Sequence, residues 1–195
     1  MRATAMQADM GNEAEVTRMV ASAVREHSRL DVVVANAGWT KVATDFSDLD
    51  AYSAEEWNKI WTLNCVSHTW LLRAARAALR ANTDGGAFMV TSSIAGIRTG
   101  GSSLAYCMAK AASIHMTRCL AKTEGPHIRV NAVLPGLLDT EWSARFDKGM
   151  FEEYREEVPL RRLPTVQDCA GAFVFLAENV SMTGQLVQVD AGRTL

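Results

Sequence analysis

Tyr106 and Lys110 stand four residues apart in the run Tyr106-Cys107-Met108-Ala109-Lys110. That spacing sets two side chains on one face of a helix, one turn apart. A free phenol titrates near pH ~10 and is a poor proton donor or acceptor at neutrality. An ammonium ~4 Å away, at an effective dielectric near 20, favours the phenolate by roughly 4 kcal/mol. This equals about three pKa units before the cost of desolvation is subtracted. A tyrosine tuned in this way exchanges a proton with an alcohol or carbonyl oxygen near pH 7. Alone, the pair is common on solvated helix faces. Ser93, thirteen residues upstream in Thr91-Ser92-Ser93-Ile94-Ala95-Gly96, adds a hydroxyl at a strand end that can hydrogen-bond the same substrate oxygen, although serine-rich loops are also ordinary turns.

These residues need a scaffold, and the chain alternates helical and strand patterns as a mostly parallel α/β sheet requires. Residues 2–8 read as a first, less regular strand, and Asp9 to Asn12 as a turn and cap. Val16, Met19, Val20, Ala23 and Val24 mark a helix over Glu13–His27. Asp31-Val-Val-Val-Ala reads as a buried parallel strand ending at Asn36-Ala37-Gly38. Ser53 and Glu56 form a capping box that opens a helix running to Ala81. Strands follow over Ala87–Thr91, Ile128–Leu134 and Leu186–Val189, with helices over Leu104–Glu124 and Thr165–Glu178. Residues 137–164 combine Trp142, Phe146, Phe151 and Tyr154 with many charges, and read as a mobile lid carrying a short helix. The loops at the strand C-termini are rich in Gly, Ser, Asn and Pro, and ligands bind at that edge of open α/β sheets.

Composition narrows the function. The 195 residues carry 48% hydrophobic and 22% charged residues and a net charge of −2. This suits one soluble domain and offers no basic field for nucleic acid or an anionic membrane. Apolar runs such as Val32–Ala35 are far too short to span a bilayer, and no secretory leader is expected. Four cysteines and four histidines fit no zinc spacing, so no metal is expected and the thiols are read as free.

Taken together, these residues resemble the short-chain dehydrogenase/reductase family, from about Met6 to Gly192. Ala35-Asn36-Ala37-Gly38 matches that family's Asn-Asn-Ala-Gly strand end, and Asn64 its helical Asn. Ser93, Tyr106 and Lys110 match its active-site Ser, Tyr and Lys. Arg129-Val130-Asn131, Pro135-Gly136 with Thr140, Thr183-Gly184-Gln185 and Val189-Asp190-Ala191-Gly192 match further motifs, with Ala191 where the family has Gly. The resemblance implies an NAD(P)-dependent oxidoreductase that moves a hydride between nicotinamide and a carbonyl or secondary alcohol. Tyr106 would be its general acid/base, Lys110 would lower the phenol's pKa and hold the nicotinamide ribose, and Ser93 would orient the substrate oxygen. Asn64 would hold a water linking Lys110 to solvent. NAD or NADP would contact Asp9, Asn36, Ala37, Gly38, Tyr106, Lys110, Pro135, Gly136, Leu138 and Thr140. Trp39, Trp142, Phe146 and Tyr154 either line the substrate pocket, pack in the core or pack within the lid.

One departure is large. The family's Thr-Gly-x-x-x-Gly-x-Gly turn, which lets pyrophosphate approach backbone N–H groups at a helix N-terminus, has no counterpart among the 13 glycines. The expected fold is a Rossmann-type doubly wound parallel sheet lacking the first two strands and the Gly-rich loop, in one incomplete domain over 1–195. With the family strand order 3-2-1-4-5-6-7, the edge of Asp31–Ala35 loses its partner, and exposed apolar surface follows. The implied setting is cytoplasmic, with a small-molecule carbonyl or alcohol substrate, no nucleic acid or membrane partner, and a homo-oligomer (dimer or tetramer). The alternative is an inactive truncated remnant or isoform that acts, if at all, as an oligomer partner.

Overall fold

In the computed structural model, residues 3–43, 45–141 and 143–195 are described. Among them six α-helices and four strands alternate along the chain: α1 (Glu13–His27), β1 (Val32–Ala35), α2 (Ala54–Trp61), α3 (Ser67–Arg80), β2 (Gly86–Thr91), α4 (Leu104–Glu124), β3 (Ile128–Pro135), α5 (Lys148–Glu157), α6 (Val166–Glu178) and β4 (Leu186–Val189). The strands form one parallel sheet in the order β1-β2-β3-β4. This is the consecutive half of the expected strand order. The expected strand over 2–8 does not form: residues 3–9 have no regular structure and pair with no strand. A strand cannot persist without a neighbour to take its backbone hydrogen bonds.

Alternation along the strands decides what each face does. Val33, Ala35, Phe88, Val90, Ile128, Val130, Ala132 and Leu134 point to one face. There they join Val16 and Val20 of α1, Leu71, Leu72, Ala75 and Leu79 of α3, and Ile114 and Ala121 of α4 in the main core. The opposite face is covered by α6, whose Leu176 packs on Met89 and Val133. That cover stops short of β1, where Val32 and Val34 remain 40% and 41% exposed. Among the described residues β1 is an open edge, as the sequence led one to expect.

Two motifs whose work was unassigned prove to be sheet fasteners. The Arg129 guanidinium donates to the carbonyls of Leu176, Ala177 and Asn179, each at 2.8 Å, closing the C-terminal end of α6 as a cation should. Asn131 Nδ2 donates to Met182 O at 2.9 Å while its Oδ1 accepts from Gln185 N at 2.9 Å, and Val130 N donates to Thr183 Oγ1 at 3.0 Å. These bonds tie β3 to the loop that leads into β4. Ala191 takes a left-handed φ of 59°, the conformation that suits glycine at this point.

Candidate active site

The helix expected over 53–81 is broken in one place. Between α2 and α3 lies a π-helical turn, Thr62–Val66, a feature often found at functional sites, and Asn64 sits in it. The turn directs Asn64 Nδ2 to the carbonyls of Ile60 at 2.8 Å and Trp39 at 2.6 Å. Asn64 Oδ1 is buried and has no hydrogen-bond partner. Gly38 lies against it. A Cβ on Gly38 would stand 2.7 Å from Asn64 Oδ1 and 3.8 Å from Lys110 Nζ, so all three groups meet at one point.

Helix α4 carries Tyr106 and Lys110 on its first two turns. Ser103 caps it, its Oγ accepting from Tyr106 N at 3.1 Å. The Lys110 carbonyl accepts from Ser113 Oγ at 2.8 Å and from Ser92 Oγ at 3.1 Å, and the two hydroxyls are 2.9 Å apart. Ser92 belongs to the end of β2, so this cluster clamps helix to strand. Ser93 then starts a 3₁₀ turn, Ile94–Gly96, with its Oγ accepting from Ala95 N at 3.1 Å. Gly96 fits directly on α4, since a Cβ there would lie 2.7 Å from the Lys110 carbonyl carbon and 2.8 Å from Ala111 N. Sequence reasoning missed Ser92, Ser113 and Gly96. Their signal was the small-residue run after β2 and a serine three residues beyond the lysine.

Ser93, Tyr106, Lys110 and Asn64 come together on a cavity of about 740 Å³, with Asn36, Ala37, Gly38, Pro135, Gly136, Leu138 and Thr140 in its wall. Asp9 is not among them: it lies in a separate shallow recess with Gln7, Ala8, Glu15 and Arg18. Thr91 Oγ1 donates to Asn36 Oδ1 at 2.8 Å, which holds the Asn36–Gly38 turn against the end of β2. Phe146 and Tyr154 line the cavity. Trp39 instead packs with Tyr52, Ile60 and Trp57, with the Lys59 ammonium 4.3 Å above its ring. Trp142 lies outside the described residues. The segment read as a mobile lid is docked, because the buried Tyr154 donates from its hydroxyl to Asp190 O at 2.8 Å.

Electrostatics correct the expected tuning. Lys110 Nζ lies 5.4 Å from the centre of the Tyr106 ring and donates to Thr91 O at 2.8 Å. Burial lowers its pKa to about 7. Burial also pushes the Tyr106 phenol above its ordinary value, with the hydrogen bond to Ser93 pulling the other way. The spacing argument counted the attraction between the two groups; desolvation of both outweighs it here. His68, buried on α3 with Nε2 3.4 Å from Ala37 O, is likewise held neutral, its pKa lowered to about 4 by burial and by the Lys110 charge.

A family model described as "Enoyl-(Acyl carrier protein) reductase" matches residues 1–194. The chain is 40% identical over 192 residues to the Streptomyces violaceoruber protein named "Granaticin polyketide synthase putative ketoacyl reductase 2", covering 97% of this chain and 76% of that one. It is 32% identical over 188 residues to Dehydrogenase/reductase SDR family member 4 of Homo sapiens, covering 94% of this chain and 66% of that one. Among solved structures, the NADPH-dependent 3-quinuclidinone reductase of Rhodotorula rubra superposes with a TM-score of 0.87 at 27% identity, covering 97% of this chain and 71% of that one.

Proposed function

The chain belongs to the short-chain dehydrogenase/reductase family, and from that premise we propose that it interconverts a carbonyl compound and a secondary alcohol with a nicotinamide cofactor, Tyr106 moving the proton. The observation that carries this reading is the convergence of Ser93, Tyr106, Lys110 and Asn64 on one cavity. In reduction, the Tyr106 hydroxyl donates its proton to the substrate oxygen; in oxidation it takes that proton back. Ser93 Oγ donates a hydrogen bond to the same oxygen and fixes its position. Lys110, whose pKa burial lowers toward neutrality, takes up or passes on the proton that Tyr106 exchanges. The orphaned Asn64 Oδ1 offers the next acceptor on that path, in place for a water.

A nicotinamide cofactor, NAD or NADP, would supply the hydride in its reduced form and take it up in its oxidised form. The residues fit its nicotinamide–ribose half. The Gly38 surface has no room for a side chain, Lys110 Nζ is within reach, and Pro135, Gly136, Leu138 and Thr140 form the facing wall.

We read the protein as a homo-oligomer. Trp61 and Met108 on the α2 and α4 side, and Val174 and Phe175 on α6, are exposed apolar groups that a second copy would cover. Among the described residues, no helix is long and apolar enough to cross a membrane. A second reading, in which the chain serves only as a subunit partner, is favoured by the open edge of β1. One experiment separates the two. NADH and NADPH are titrated by fluorescence, and ketone reduction is followed for the wild type and Tyr106→Phe. Saturable binding with turnover lost in Tyr106→Phe, at unchanged stability, supports the enzyme. Turnover retained in that variant refutes the assigned chemistry, and absence of binding to a folded chain favours the partner reading.

A further inference from the structure

The cavity wall carries a charge that hydride transfer does not use. Among the described residues, three cationic side chains, Arg98, Lys110 and Arg193, line it, and no carboxylate does, in a chain whose net charge is −2. Lys110 is accounted for above. Arg98 follows the 3₁₀ turn that begins at Ser93, and Arg193 follows β4; the fold brings them to one cavity from positions far apart in sequence.

Arg193 is held as a rigid donor. Its side chain is only 19% exposed and pairs through Nη1 with Glu157. Its guanidinium lies 5.3 Å from the centre of the Tyr154 ring. Its Nε is buried with no hydrogen-bond partner. A buried donor left unpaired costs about 1–3 kcal/mol. Arg98 is exposed, and its positive field reaches both Arg193 and Tyr154. The two guanidiniums repel, and the carboxylates of Glu157 and Glu153 act against this at Arg193.

We propose that Arg98 and Arg193 bind a carboxylate on the substrate, so that this enzyme acts on keto acids or hydroxy acids. The Arg193 guanidinium, which lines the cavity, supplies the directed hydrogen bond, and Arg98 supplies attraction at the open side. Leu137, Phe146 and Met150 give an apolar wall for the carbon chain. The proposal rests on the oxidoreductase reading above. The other anion that could meet these arginines is a phosphate of the cofactor, and the test separates the two.

The full chain is titrated calorimetrically with 3-oxobutanoate, 4-oxopentanoate and 6-oxoheptanoate and with their methyl esters. At least one acid should bind ten-fold or more tightly than its ester. Arg98→Gln and Arg193→Gln should each erase most of that preference while leaving NADH and NADPH titrations unchanged. Glu157→Gln, which frees Arg193, should tighten the acid a few-fold. Should Arg193→Gln lose its circular-dichroism signal, the exposed Arg98→Gln decides alone. Equal binding of acids and esters, or binding of neither, overturns the proposal. So does a loss of NADPH affinity in the arginine variants with acid binding intact, which would place a cofactor phosphate there. Turnover keeps the two readings apart: acid-selective binding with no Tyr106-dependent reduction sinks the hydride-transfer reading alone, whereas reduction of acids and esters with equal KM sinks the carboxylate site alone.

Discussion

Gly38→Ala tests how tightly the Asn64 corner is assembled. No unusual φ marks Gly38, so the substitution adds a methyl group without backbone strain, and its effect is purely one of space. The new Cβ would lie 2.7 Å from Asn64 Oδ1, well inside the 3.4 Å at which ordinary contact begins. Asn64 can escape only by turning its amide. Turning breaks the bonds from Nδ2 to Trp39 O and Ile60 O, at 2.6 Å and 2.8 Å, inside a buried π-helical turn. Each such bond is worth about 1 kcal/mol net, and overpacking a tight site costs about 1–3 kcal/mol. Gly38→Ala is therefore expected to lose roughly 2 kcal/mol. Asn64→Ala removes the same two bonds and the obstacle with them, so Gly38→Ala in that background should cost less than about 0.5 kcal/mol. The coupling of about 1.5 kcal/mol or more is read from a double-mutant cycle by urea unfolding, followed by tryptophan fluorescence. Additive losses would refute the reasoning, because they would mean that the added methyl group finds room without moving Asn64.

Further outcomes follow from the same structure. Unfolded histidine takes a proton below pH ~6.5, whereas His68 in the fold does not until about pH 4. The unfolded state thus binds more protons in this window, and stability falls as pH drops through it. About 2 kcal/mol should be lost between pH ~7.5 and ~5, and urea midpoints should show that slope flattened in His68→Leu. Hydrogen exchange should find the Val32–Ala35 amides far less protected than those of Ile128–Leu134, and equal protection would show the β1 edge to be covered in solution. Tyr106→Phe should remove turnover by at least about a hundred-fold, the low end of general acid–base contributions, with the thermal midpoint nearly unchanged.

Much of the scaffold was legible because it is written in local patterns. The β-branched run before Asn36, the caps at Asn12 and Ser53, and the Tyr–Lys spacing each depend on a few neighbouring residues, and the strands and helices they imply are present. What was not legible depends on distance or burial. Nothing in Thr62–Val66 announces a π-helical turn, since its residues suit a regular helix equally well. Spacing placed Lys110 beside Tyr106 but could not weigh desolvation, and so the direction of the phenol's shift came out reversed. The lid was read as mobile from its charges. One tyrosine, Tyr154, inserting its hydroxyl toward Asp190, docks it, and that contact spans 36 residues. Asp9 was placed by resemblance, and the irregular segment that bears it leaves it outside the main cavity.

The open edge of β1 divides the site in two. Ser93, Tyr106 and Lys110 hang on β2 and α4. The core behind them is complete: Phe88, Val90, Val130 and Ala132 have no exposure, and the Ser92–Ser113–Lys110 cluster locks helix to strand. Their geometry does not pass through β1. Asn36, Ala37 and Gly38, by contrast, leave directly from β1, and Asn64 takes its position from Gly38 and the Trp39 carbonyl. Fraying of an edge strand whose Val32 and Val34 face solvent therefore loosens the cofactor wall and the outlet of the proton path, and leaves the acid–base pair standing. A partner that covers that edge would raise cofactor affinity more than it changes the chemistry at Tyr106.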